Sequence, residues 1–236
     1  MPCLVTANSR RLSPTLIVLA CIISPAQAEP REDDLFSAIG EQVTSDGHFL
    51  NAKSSNSADF DNWCKHYLAG KDAEADSDWR KVAKTISKPD DLHSLMKNAI
   101  VRITFSEGND PRRSPAKAVI SMMTSSEKAL GKDNALLCSG YSYASGTCKN
   151  CGAFGEAIAY KRKQVNLEEK CFPCDKRQCY TRLDFAGLLL RFHQTDEALS
   201  ITNHMQPMVT KIRDAKLDSD YHRLVAKLKE ARSQND

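Results

Sequence analysis

Apolar positions recur at helical spacing along most of this chain. Leu35, Phe36, Ile39 and Val43 fall on one face. Phe60, Trp63, Cys64, Tyr67 and Leu68 form a second stripe, with Ser57 placed to cap it and Gly70 to stop it. Trp79, Val82, Ala83 and Ile86 form a third. Leu92, Leu95, Met96, Ala99, Ile100 and Ile103 form a fourth, opened by Pro89 in the first turn. Ser114-Pro115 opens a fifth, which carries Ala118, Val119, Met122 and Met123 and is followed by Gly131.

The C-terminal third continues the pattern. Tyr180 to Phe192 is apolar nearly all round and reads as the most buried helix. A second helix runs from Asp196 to Ile212 after a very short turn, and Pro207 should kink or split it. Leu217, Tyr221, Leu224, Val225 and Leu228 make the last stripe, with Lys227, Lys229, Glu230 and Arg232 on the outer face. The hairpin around Gln194 and Thr195, with Ala198 and Pro207, resembles a tetratricopeptide unit in packing style, although no repeat of that period runs through the chain.

No alternating run is long enough for a sheet, because the helix before it absorbs Val101 to Phe105. Irregular structure is expected at 45–57, 106–113 and 131–150. The last of these holds Tyr141 and Tyr143 among serines and glycines, and both rings should pack back onto the domain. Asp72 to Asp78 reads as a solvated acidic linker, and Lys161-Arg162-Lys163 as a wet basic helix face. The expected fold is an all-α single domain of about eight helices, with an irregular, disulfide-rich insert at 138–179.

The chain has 236 residues and a net charge of +3. Residues 1–28 read as a cleavable export signal. Arg10 and Arg11 precede the short apolar run Leu16 to Ile23, and Ala26-Gln27-Ala28 supplies the small-x-small cleavage pattern. The mature helical domain is then 29–236, in the periplasm or outside the cell. The signal carries two of the arginines and no acids, so the mature chain is nearly neutral and has no electrostatic case for nucleic acid. No membrane span is expected after cleavage.

The strongest chemical signal is cysteine density. Cys138, Cys148, Cys151, Cys171, Cys174 and Cys179 crowd one window, and Cys64 stands apart on an apolar stripe. In an oxidising compartment these six are disulfide candidates, with bridges between the pairs Cys148/Cys151 and Cys171/Cys174 favoured over bridges inside them. Cys64 is then the odd thiol, free and buried or paired over a long range. The alternative is a zinc site, because Cys148, Cys151, Cys171 and Cys174 match the spacing of a four-cysteine ribbon. A third reading is thiol–disulfide exchange at Cys171-Phe172-Pro173-Cys174, although no βαβ pattern surrounds it.

No histidine pair has metal-ligand spacing on a helix, and there is no phosphate loop, dinucleotide fingerprint or framed nucleophile elbow. No catalytic residue is therefore assigned and no cofactor is expected apart from the zinc alternative. The expectation is a non-catalytic binding or interaction protein, with a protein partner in the cell envelope or outside the cell.

Overall fold

The computed structural model describes residues 57–106, 114–172 and 176–234. The export signal, the stripe from Leu35 to Val43, and Cys174 lie outside the described residues. Among those described there are nine α-helices and no strand. In chain order these are α1 (Ala58–Leu68), α2 (Asp72–Lys84), α3 (Pro89–Thr104), α4 (Pro115–Leu130), α5 (Leu137–Asn150), α6 (Phe154–Cys171), α7 (Lys176–Arg191), α8 (Thr195–Ile212) and α9 (Ala215–Ser233).

The helix boundaries follow local chemistry. Ser57 Oγ accepts the Phe60 N–H at 3.2 Å, and Ser114 Oγ accepts the Lys117 N–H at 3.3 Å. Pro115 occupies the first turn of α4, where its missing N–H costs nothing. Gly131 takes φ 86° just past the end of that helix, a conformation that side chains resist. Asp214 Oδ1 caps α9 by accepting the Leu217 N–H at 2.8 Å.

Four expectations are corrected. The acidic stretch Asp72 to Asp78 is no linker but the start of α2. Asp72 and Glu74 oppose the dipole in its first turn, while Ala75, Asp78 and Trp79 turn inward. Pro207 does not split α8, whose buried Met205 and Val209 flank it in one continuous helix. The segment 138–179 is not an irregular insert, since α5, α6 and the first turn of α7 take up most of its described residues. Serine and glycine are poor helix formers, but Leu137, Tyr141, Ala144 and Cys148 recur at helical spacing and are all buried, so packing overrides propensity. The basic run is a wet face only at Arg162 and Lys163, because Lys161 is buried.

Consecutive helices form hairpins, α1 with α2, α5 with α6, α7 with α8 and α8 with α9. Helices two apart also touch, α2 with α4, α3 with α5 and α7 with α9, so the hairpins stack into an array. The largest core surrounds Trp63 and Trp79, whose rings lie 5.0 Å apart, and extends to Leu167 on α6. Two smaller cores serve the C-terminal helices. One is built on Phe185, Leu189, Ala198 and Leu228, the other on Cys179, Met205, Leu217 and Tyr221.

Candidate interaction surface

The α5–α6 hairpin decides what the cysteines can do. Cys138 lies in the first turn of α5, and Cys148 and Cys151 lie at its far end. Cys171 is the last residue of α6, an 18-residue helix about 27 Å long. Cys148 and Cys151 therefore sit at one end of α6 and Cys171 at the other. A bridge from Cys148 or Cys151 to Cys171 would need Cα atoms within about 7 Å, and the length of α6 forbids it, whereas Cys174 lies outside the described residues. One tetrahedral zinc cannot gather Cys148, Cys151 and Cys171 either, and the four-cysteine site with Cys174 is corrected for the same reason. Among the described residues no group of three or more His, Cys, Asp or Glu side chains could hold a metal.

No disulfide joins the described cysteines. Burial pushes the Cys138 and Cys148 thiols up to about 12 and the Cys64 thiol up to about 11. While buried and reduced, these three thiols carry almost no thiolate at neutral pH. Cys138 and Cys171 share the other end of the hairpin. There Lys170 Nζ donates to Asp133 Oδ1 at 2.6 Å and ties the end of α6 to the segment that leads into α5.

The tyrosines of α5 serve packing. The Tyr141 hydroxyl donates to Glu127 Oε1 at 3.0 Å, Lys163 Nζ donates to the same oxygen at 2.6 Å, and the ammonium lies 5.6 Å from the Tyr141 ring centre. This contact links α4, α5 and α6. Tyr143 lies against the His93 ring at 4.8 Å.

An open cleft of about 400 Å³ separates α5 from α7 over α6. Its floor includes Ser142, Ser145, Gly146 and Gly187, and Lys149, Lys161, Asp184 and Arg191 supply its charges. Ser145 is fixed there, since its hydroxyl donates to the Ala157 carbonyl at 2.8 Å. The glycines are the unusual part. Gly146 and Gly187 lie inside helices, where glycine costs about 0.5–1 kcal/mol relative to alanine. A Cβ at either position would meet nothing within 4 Å. Gly140 differs, because a Cβ there would come 2.5 Å from Leu92 Cδ2. Packing among the described residues explains Gly140 and leaves Gly146 and Gly187 unexplained.

Lys161 is 8% exposed, and its Nζ lies 3.6 Å from Asp184 Oδ2. Burial holds its pKa below the ordinary lysine range, and the like charge of Lys149 adds to this. Asp184 and Glu168 oppose the shift. The sequence did carry a signal, since Lys161 falls on the same face as the buried Ile158 and Val165.

A second cleft, of about 460 Å³, lies between α6, α7 and α8. It neutralises its own charges. Arg162 Nη2 donates to both oxygens of Glu197, at 2.8 and 2.9 Å, and Arg182 pairs with Glu169. Among the described residues no helix is long and apolar enough to cross a membrane.

No protein-family model matches this chain, and no curated protein matches it in sequence. Solved structures do resemble it. A variant of a Podosopora anserina protein, described as a kinesin light chain with nearly identical TPR-like repeats, has 12% identity and a TM-score of 0.50. The match covers 78% of this chain and 90% of that one. Another structure of the Podosopora anserina protein has 10% identity and a TM-score of 0.44, over 79% of this chain and 99% of that one. At such identity the likeness concerns the fold alone: the described helices form an all-helical, TPR-like repeat array.

Proposed function

We propose that this chain is an exported, non-catalytic interaction protein that docks a segment of a protein partner in the cleft between α5, α6 and α7. One observation carries the reading. Two helix-interior glycines, Gly146 and Gly187, face an open cleft and have no packing role among the described residues. Helix glycine is unfavourable, and a partner's main chain lying against the floor supplies the missing reason. Stacked helical hairpins expose such clefts between neighbouring units, which is consistent with this use.

In the same reading the six clustered cysteines pair in an oxidising compartment, and Cys64 remains a buried thiol. The hairpin favours Cys138 with Cys171, since the Lys170–Asp133 ion pair holds that end closed. As the chain folds, before burial raises the Cys138 thiol, the two thiols would lose two electrons and two protons to a disulfide carrier of the compartment. Intact mass of the exported protein, alkylated without reductant, tests this directly. Cleavage after Ala28 and one alkylated cysteine are expected. Several alkylated cysteines would remove the staple from the reading.

Docking is tested by selecting short random peptides on the full exported protein. The selected peptides should bind the native chain and fail to bind a Gly146→Leu, Gly187→Leu double variant whose helical circular dichroism is unchanged. Equal binding to both proteins would place the docking surface elsewhere.

A further inference from the structure

We infer that the cleft between α5, α6 and α7 recognises a carboxylate-bearing stretch of polypeptide, an acidic segment of the partner protein, with Lys161 as the selecting charge. This rests on the docking reading above and names the chemistry of its occupant.

Charge complementarity points to an acidic occupant. Lys149, Lys161 and Arg191 face the cleft against Asp184 alone. The neighbouring cleft shows what a self-contained arrangement looks like, with Arg162 and Arg182 each paired to a glutamate. Lys161 is the decisive member. Its side chain is only 11% exposed, whereas the side chain of Asp184 is 74% exposed. Asp184 at 3.6 Å is largely solvated, and buried Glu168, which also acts on Lys161, is shared with Gln164 at 2.9 Å and Arg177 at 3.8 Å, so the buried ammonium is incompletely compensated. A carboxylate entering the cleft would complete that compensation away from bulk water, where the attraction is strongest.

The floor separates a polypeptide from a free anion. An anion needs only the cations, whereas Gly146 and Gly187 leave room for a main chain to lie close to two helices. Asp184, exposed on the rim, is placed to accept N–H groups from that main chain.

The probes are hexaglutamate and hexaglutamine peptides carrying the same uncharged fluorophore, titrated by anisotropy into the full exported protein. Hexaglutamate should bind, and hexaglutamine should bind at least about tenfold more weakly. Lys161→Met should weaken hexaglutamate about tenfold, and Lys161→Arg, which keeps the charge, only a few-fold. Lys229→Met removes an equal charge from the exposed face of α9 and should change binding less than about twofold.

Three results overturn the inference. One is equal affinity for the two peptides. The second is equal weakening by Lys161→Met and Lys229→Met. The third is competition by free glutarate as effective as the peptide itself, which would mark a small-anion site. If both peptides bind equally and Gly187→Leu still abolishes binding, the docking reading stands and only the carboxylate falls. If Gly187→Leu leaves peptide binding intact, both fall.

Discussion

The indole N–H of Trp79 donates to Ser126 Oγ at 2.9 Å, joining α2 to α4 across 47 residues of sequence. Both residues are fully buried. The same hydroxyl donates to the Met122 carbonyl at 2.8 Å, so a single oxygen satisfies the indole and bonds its own helix.

Ser126→Ala leaves that indole without an acceptor in a dry core. A loss of about 1–3 kcal/mol is expected. Urea denaturation followed by tryptophan fluorescence measures it, and an unchanged midpoint would show that the bond contributes nothing net.

Alanine at two helix glycines should act with opposite sign. At Gly140 the new methyl meets Leu92 Cδ2 at 2.5 Å and Met123 Sδ at 2.9 Å, an overpacking expected to cost about 1–3 kcal/mol. At Gly187 it meets nothing within 4 Å, and α7 should gain about 0.5–1 kcal/mol. Paired thermal melts decide it. A loss at Gly187 would mean that something in the chain needs the space.

Asp76 makes acid stability testable. Burial acts to raise its pKa, but donors from Ser125 at 2.6 Å, Arg80 at 2.8 Å and Lys128 at 3.4 Å outweigh it, and the carboxyl sits below its ordinary 3.8. A depressed carboxyl contributes stability that is fully present above 3.8 and is lost as pH falls through the lowered folded value. Asp76→Asn should therefore cost about 1 kcal/mol at neutral pH and nothing once the pH is below that value. A gap that does not close in acid would refute the assignment.

Lys161→Met should leave the fold equally stable or more stable, by up to about 1 kcal/mol, because it removes a buried and incompletely compensated charge. The sign follows from the lowered pKa. The unfolded chain holds the proton more tightly, so the penalty is present at neutral pH. It is relieved as pH rises from the lowered folded value toward 10.5. The advantage of the variant should shrink over that range, and chemical denaturation at neutral and alkaline pH measures it. A clear loss at neutral pH would make the contact with Asp184 a structural necessity.

Much of the fold was legible in residue spacing. The stripes Phe60–Trp63–Cys64–Tyr67 and Leu92–Leu95–Met96–Ala99 became buried faces of α1 and α3, and Ser57, Ser114 and Gly131 mark helix ends as their chemistry requires. α5 was the main failure. Its serines and glycines spell a loop locally, and only packing against α3, α4 and α6 makes a helix of them. The candidate site was almost wholly hidden. Lys161 reads as one charge in a wet run; its place on the face of Ile158 and Val165 is the one local signal, and it does not tell what lies above that face.

By itself the sequence determined the all-helical class, most of the helix boundaries and the crowding of cysteines, because periodicity and capping act within a few residues. Tertiary structure alone decided which charges are buried, which glycines have room above them, and which cysteines share an end of a hairpin. Those are distances between residues far apart in the chain. The length of one helix, α6, separates Cys148 and Cys151 from Cys171, although the four-cysteine spacing that includes Cys174 reads as a single site.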